Sequence, residues 1–354
     1  MAACERRRLD LSKLAALAVL VVMAVACGGS STPAPAQSSS PPEKASLKVG
    51  VGGQSQIIYM PLTLADRLGY FKDEGLTVEI TDLKGGADAL KAVVSGSVDF
   101  VCGFYEHTIR TQTQGKFIEM VALFDNYPGL VLLVNKKHQD AKTIKDLANF
   151  KIGVTSLGSS TDEMVRYLFK QAGLDPAAAQ TVSVGSGGPA ITALKNDQVQ
   201  ALVTVEPGAT TLEQSGDGKV LYDTRTQQGT KDVFGGSWPA GGFYLLNDFV
   251  KQNPRTVQAL ARAAVRTLKF ISSHSADEIA AKLPAQIFFP DGNKDFFVKV
   301  LKANLGMFSL DGKMPADGPD NVFKTVKIAD PKTDWSTVDL KKTYDNSYVS
   351  KVKV

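Results

Sequence analysis

The sequence predicts an α/β protein of two lobes, each a mostly parallel sheet flanked by helices, with a ligand cleft between the lobes. Three observations carry this reading. Short apolar runs alternate with Gly/Ser-rich loops and amphipathic stretches, the pattern of strands joined by crossover helices. The pattern runs from residue 47 and restarts at residue 151. The chain has 354 residues, about twice the length of a usual single domain. With 44% hydrophobic and 21% charged residues it is neither disordered nor a polytopic membrane protein. A net charge of +4 lacks the basic excess of a nucleic-acid binder, so no nucleic-acid partner is expected.

Taken in order, the N-terminus reads as a targeting device. Arg6, Arg7, Arg8 and Lys13 precede the apolar residues 14–25, a run well short of the ~20 needed to span a bilayer. It closes in Ala24-Val25-Ala26-Cys27: small residues suit a signal peptidase, and the thiol suits acylation. This resembles the lipobox of bacterial lipoproteins. Residues 1–26 are therefore expected to be a lipoprotein signal peptide, Cys27 the lipidation site, and the Gly/Ser/Pro-rich residues 27–46 a flexible tether. The expected location is extracytoplasmic, held at a membrane by the lipid. Only Cys102 would remain as a free thiol, which excludes an intrachain disulfide.

The body begins with a strand at 47–51, the loop Gly52-Gly53-Gln54-Ser55-Gln56, and a helix from Pro61, a good first-turn residue, to Gly69. A strand at 76–82 leads through Lys84-Gly85-Gly86 into a helix at 87–95; a strand at 98–102 opens onto Phe104-Tyr105-Glu106-His107. The second copy gives a strand at 151–155, the loop Ser156-Leu157-Gly158-Ser159-Ser160, and a helix at 161–172 stopped by Gly173. A strand at 181–184, the loop Gly185-Ser186-Gly187-Gly188 and a short helix from Pro189 follow. A strand at 201–205 then ends in Glu206-Pro207. Residues 130–134 and 242–246 are read as strands crossing between lobes, and helices are expected at 255–272, 276–283 and 294–305. Lobe I is thus 47–132 plus 246–354, and lobe II is 133–245.

In open α/β sheets, ligands bind beyond the carboxyl ends of the strands. The loops there supply the candidate ligand-binding residues: Gln54, Ser55, Tyr59, Gly85, Gly86, Phe104, Tyr105 and Glu106 from the first copy. The second copy supplies Ser156, Gly158, Ser159, Ser160, Gly185, Ser186, Gly187 and Glu206, with Trp238 from the second crossover. Several have a structural reading beside the functional one. Ser160 with Glu163 fits a capping box, which leaves Ser159 to present helix N–H groups to an anion. Phe104 and Tyr105 equally suit a core, and Trp238 equally suits a hinge. The expected ligand is a small organic anion or polar heterocycle, its head toward Ser159 and the Gly185–Gly188 loop, its body against Tyr59, Phe104 and Tyr105. Glu106 opposes a strongly anionic ligand on its side. Gly185-Ser186-Gly187-Gly188-Pro189-Ala190 also fits G-x-G-x-x-A, a nucleotide-binding alternative weakened by the short helix after it and by the export signal. His107, His138 and His274 lack partners at metal spacing. No metal, cofactor or catalytic residue is expected.

Several runs together resemble the NitT/TauT (SsuA/THI5-like, NMT1-like) branch of the type II periplasmic-binding-protein superfamily, which binds sulfonates, taurine, nitrate and thiamine precursors. They are Tyr59-Met60-Pro61-Leu62, Gly69-Tyr70-Phe71, Glu74-Gly75-Leu76, Ser95-Gly96-Ser97-Val98-Asp99, Gly153-Val154-Thr155, Glu206-Pro207 and Asp311-Gly312-Lys313-Met314-Pro315. The resemblance implies a monomeric solute receptor that delivers a small molecule to an ABC importer's transmembrane subunits with their ATPase, and no enzyme. Two alternatives stand beside it: an enzyme of pyrimidine-precursor synthesis, whose Cys-rich motif this chain lacks, and a sensory lipoprotein without a transporter. The anchor is directly testable. Cys27→Ser should move the protein from the membrane fraction to the soluble one; retention in the membrane would refute the assignment.

Overall fold

The computed structural model describes residues 40–353. The expected signal peptide, Cys27 and the tether up to residue 39 lie outside the described residues. The tether's last residues are tied down: Glu43 accepts from the Thr256 backbone N–H at 2.9 Å, and the Lys44 N–H donates to Thr256 Oγ1 at 3.0 Å.

Ten strands form two five-stranded sheets. The strands are β1 (Ser46–Val51), β2 (Thr77–Asp82), β3 (Phe100–Phe104), β4 (Ile118–Leu123), β5 (Val131–Asn135), β6 (Lys151–Val154), β7 (Gln180–Ser183), β8 (Ala201–Thr204), β9 (Gly218–Asp223) and β10 (Gly241–Leu246). The sheet orders are β2-β1-β3-β10-β4 and β7-β6-β8-β5-β9. In each, the first three strands are parallel and the fourth is antiparallel to both neighbours. That fourth strand is the first one laid down after the chain arrives from the other sheet. The parallel strands end at the seam between the sheets, so a chain entering there can only run away from it.

Residues 130–134 and 242–246 therefore do not cross between lobes as expected. Each lies within a sheet as the return strand, and the links are residues 124–130 and 235–240. The first link bonds to the second and to the start of β10: Ala240 N–H donates to Asp125 O at 2.9 Å, and Phe124 N–H to Gly241 O at 2.7 Å.

Alternation along β5 shows how one strand serves two cores. Val131 and Leu133 pack with Ala190, Leu194 and Leu212 on one face, while Leu132 and Val134 join the main core on the other. The helix Pro254–Ser273 buries Val257, Leu260, Ala264, Leu268 and Ile271, one stripe at helical spacing. The helix Gly318–Ala329, expected with lobe I, instead packs against the helix Ser160–Gln171 beside the second sheet. Strands β4 and β9 were absent from the sequence expectation. The loop after β9, Thr224-Arg225-Thr226, has no glycine and runs into the helix Gln227–Phe234, no helix directly follows β4, and β9 is only half-buried along its length.

Gly242 is set by close packing: a Cβ there would lie 2.3 Å from Ala122 O and 2.8 Å from Met120 Sδ. Gly242→Ala should destabilise the protein by roughly 1–3 kcal/mol or more, read as a lower midpoint in urea. An unchanged midpoint would contradict the β10–β4 register.

Candidate functional site

The carboxyl ends of β1, β3, β6 and β8 face each other across the seam. A small cavity there has room for the centre of about one water, about 10 Å³. Gly52, Gln56, Tyr59, Gly86 and Phe104 line it from the first lobe, Thr155, Ser159, Ser160, Thr161 and Val205 from the second, and Leu130 from the first link. Tyr59 and Phe104 meet edge to face with centroids 6.1 Å apart. A larger cavity of about 260 Å³ adjoins it, sharing Gln56 and Val205, with Phe288, Phe289 and Phe296 facing Gly187 and Pro207.

Hydrogen bonds cross the seam. The helix Gly86–Val94 has no side-chain cap of its own. Its Ala87 N–H is received by Ser156 Oγ of the other lobe at 3.2 Å, so one lobe caps a helix of its neighbour. Ile57 N–H donates to Glu206 O at 3.0 Å. Ser160 Oγ donates to Glu106 Oε1 at 2.5 Å. The close approach requires glycine: a Cβ on Gly85 would sit 2.6 Å from Ser156 Oγ, and one on Gly53 2.6 Å from Ser186 Oγ.

The expected residues separate into three groups. Tyr59, Gly86, Phe104, Ser159 and Ser160 line the cavity. Ser55, Gly85, Glu106, Ser156, Ser186, Gly187 and Glu206 lie along the seam around it. Gln54, Tyr105, Gly158, Gly185 and Trp238 stand off it. Gln54 Nε2 donates to Thr63 Oγ1 within its own lobe at 3.1 Å. Tyr105 follows Phe104 at the strand end, so its ring points away from the cleft, bonds Thr343 Oγ1 at 2.5 Å and meets Tyr344. Gly158 N–H donates to Asp162 Oδ2 at 2.8 Å, and a Cβ on Gly185 would meet nothing within 4 Å. Trp238 stacks on Phe234, backs Phe104, and donates from Nε1 to Thr325 Oγ1 at 2.9 Å, so it packs within the second link.

Two expectations change in detail. Ser159, not Ser160, is the N-cap of the helix Ser160–Gln171, and no side chain caps it. Glu163 makes no capping box because its carboxylate turns to Arg110 of the other lobe. Ser159 Oγ instead shares a hydroxyl cluster with Thr155 (3.0 Å) and Thr161 (2.7 Å). Glu206 turns its carboxyl to Arg225 and Thr210, so its carbonyl, not its charge, meets the first lobe. Sequence reasoning passed over Gln56, Thr155, Thr161 and Val205, all adjacent to expected residues, and Arg110, one helical turn beyond Glu106.

Buried carboxyls dominate the electrostatics. Glu106, Asp162 and Glu163 are each at most 4% exposed. Arg110 pairs with Glu163 and, at 3.6 Å, with Asp330. Burial pushes the Glu163 carboxyl up to about 8, against the opposing pull of Arg110 and with help from Glu106, Asp162 and Asp330. Burial also lowers the His107 imidazole, partly offset by Glu106.

Two sheets of like order, joined by two links and facing across a seam, define the fold of the type II periplasmic binding proteins. SsuA, the alkanesulfonate-binding protein of Xanthomonas axonopodis pv. citri solved with MOPS, shares that fold: TM-score 0.68, 17% identity, 86% of this chain and 99% of its own. The chain belongs to the NMT1-like family, whose model matches residues 40–285. A solved protein of Bordetella bronchiseptica RB50 is similar throughout, with 40% identity, 88% of this chain, 97% of that one and a TM-score of 0.84. The putative binding protein YtlA of Bacillus subtilis (strain 168) is 24% identical over 235 residues, 63% of this chain. The chain spans 65% of the length of YtlA. It spans 39% of a 4-amino-5-hydroxymethyl-2-methylpyrimidine phosphate synthase of Legionella pneumophila, 26% identical over 129 residues.

The Glu163 shift gives a sign for pH dependence. Its native carboxyl titrates near 8 and its unfolded one near 4.5. Between these values the native state binds more protons, so stability falls as pH rises from about 5 to 8. Glu163→Gln mimics the protonated acid. It should flatten the thermal-midpoint profile over that window, and an unaltered slope would contradict the assignment.

Proposed function

We propose that the chain is an extracytoplasmic solute receptor. It closes two lobes around a small polar organic molecule and hands it to the transmembrane subunits of an ABC importer. A lipid on Cys27 would hold it near that importer. The supporting observation is that donors and acceptors of one lobe find partners in the other, at Ala87–Ser156, Ile57–Glu206 and Ser160–Glu106, around a cavity walled by both. The two neutral bonds contribute about 0.5–1.5 kcal/mol each and the one to the Glu106 carboxylate about 1.5–3 kcal/mol, small enough for a ligand to decide between open and closed. The links at 124–130 and 235–240 would absorb the rotation. Binding rather than synthesis is supported by the solved neighbour SsuA and by YtlA, each named a binding protein.

The ligand proposed is a polar heterocycle or similar flat molecule rather than an organic anion. Tyr59 and Phe104 offer flat faces, while the buried carboxyls beside Ser160 would repel an oxyanion.

Mass spectrometry of small molecules released from the protein purified from its host should identify the ligand. Adding that molecule back to stripped protein should reduce the radius of gyration in small-angle scattering. A bound ligand with an unchanged radius would refute closure. Ser156→Ala should weaken that ligand roughly twofold to tenfold, the loss of one neutral hydrogen bond; full affinity would count against the seam contacts.

A further inference from the structure

Two buried polar atoms beside the cleft have no hydrogen-bond partner, Glu106 Oε2 and His107 Nε2. The residues are 1% and 0% exposed and open the helix Glu106–Arg110 directly after β3. Both adjoin the cavity wall. Glu106 Oε1 receives Ser160 Oγ. A Cβ on Gly86 would lie 3.4 Å from His107 Cε1, 3.9 Å from its Nε2 and 3.7 Å from Ser159 Cβ. Gly86, Ser159 and Ser160 all line the cavity. A methyl group at Gly86 would therefore lie between the His107 imidazole and Ser159 of the cavity wall, and glycine leaves that space open.

The polarity of the pair follows from its surroundings. Tyr244 is fully buried, and among the described residues its hydroxyl has one hydrogen-bond partner, His107 Nδ1 at 3.1 Å. A buried phenol must give its proton to an acceptor, which makes Nδ1 the acceptor and puts the ring proton on Nε2. That N–H lies 3.4 Å from Glu106 Oε1 but makes no aligned bond to it. Adjacent residues thus hold an unpartnered acceptor, Glu106 Oε2, and an unpartnered donor, His107 Nε2–H. Each unmade bond in a buried site is costly, so the pair calls for a partner that satisfies both.

We infer that the ligand carries a neutral head group with a hydrogen-bond donor and an acceptor on neighbouring atoms, read by Glu106 and His107 through the gap at Gly86. A primary carboxamide, a lactam and an amino-substituted nitrogen heterocycle all have this face. An oxyanion has only acceptors, and the nearest guanidinium, Arg110, is already held by Glu163 and Asp330. This rests on the receptor reading above and specifies the head group of its ligand.

Titration calorimetry with nicotinamide, 2-pyrrolidone and 4-aminopyrimidine against methanesulfonate and nitrate tests it. At least one neutral probe should bind and neither anion should. Glu106→Gln, which removes an acceptor without adding a buried charge, should weaken the neutral probe tenfold or more. Gly86→Ala, which fills the gap while touching nothing closer than 3.4 Å, should do the same. Nitrogen-15 spectra of the His107 ring should show the Nε2-protonated tautomer, shifted on probe binding. The opposite tautomer, or neutral-probe binding that both variants leave unchanged, would overturn the inference. Binding of an anion with lobe closure would overturn it too and leave the receptor reading standing. Failure of both probe classes to bind or close the lobes would overturn both.

Discussion

The rest of the structure depends on the direction in which the chain enters each sheet. Parallel strands in both sheets end at the seam, so the crossing chain arrives at a carboxyl end and must run away from it. That constraint makes β5 and β10 antiparallel to the parallel strands, and both lie fourth in sheets of like order. It also gathers the loops after β1, β3, β6 and β8 at one seam and lays the two links side by side. There the Ala240 N–H donates to the Asp125 carbonyl, from one link to the other. The cleft lies where the crossing chain and the strand ends meet.

What holds the seam is a set of bonds left incomplete within each lobe. The helix Gly86–Val94 borrows its cap from Ser156, and the Ile57 N–H uses a carbonyl of the opposite lobe. Glycines at 53 and 85 let these loops come within contact of Ser186 and Ser156, where a methyl group would collide. Behind this layer sit the buried carboxyl groups of Glu106 and Glu163, with the partly exposed Arg110 beside them, drawn from both lobes. Buried groups of this kind are costly without partners, and here each lobe supplies partners to the other.

The fold was largely legible because strand, glycine-rich loop and helix leave a local record. Helices at 86–94 and 160–171 and strands at 46–51 and 151–154 lie where the pattern put them. The antiparallel strands left a weaker one. Residues 130–134 and 242–246 read as extended and apolar, yet nothing in them says that they end inside a sheet, and β4 and β9 passed unnoticed. The site was legible by loop and not by side chain. Phe104 and Tyr105 are neighbours of like character, but the turn of the strand sends one ring to the cavity and the other to Thr343. Glu206 sits in the right loop and spends its charge on Arg225.

The sequence by itself determined the class of fold, the two-copy plan and the loops that meet at the cleft, because periodicity and glycine placement act within a few residues. Tertiary structure alone decided which atoms of those loops face one another. Only when β10 comes to lie beside β3 does Tyr244 reach His107. Only when the lobes meet does Ser160 reach Glu106, and Arg110 reach Glu163. These partners are separated by 50 residues or more along the chain, beyond the reach of any local pattern.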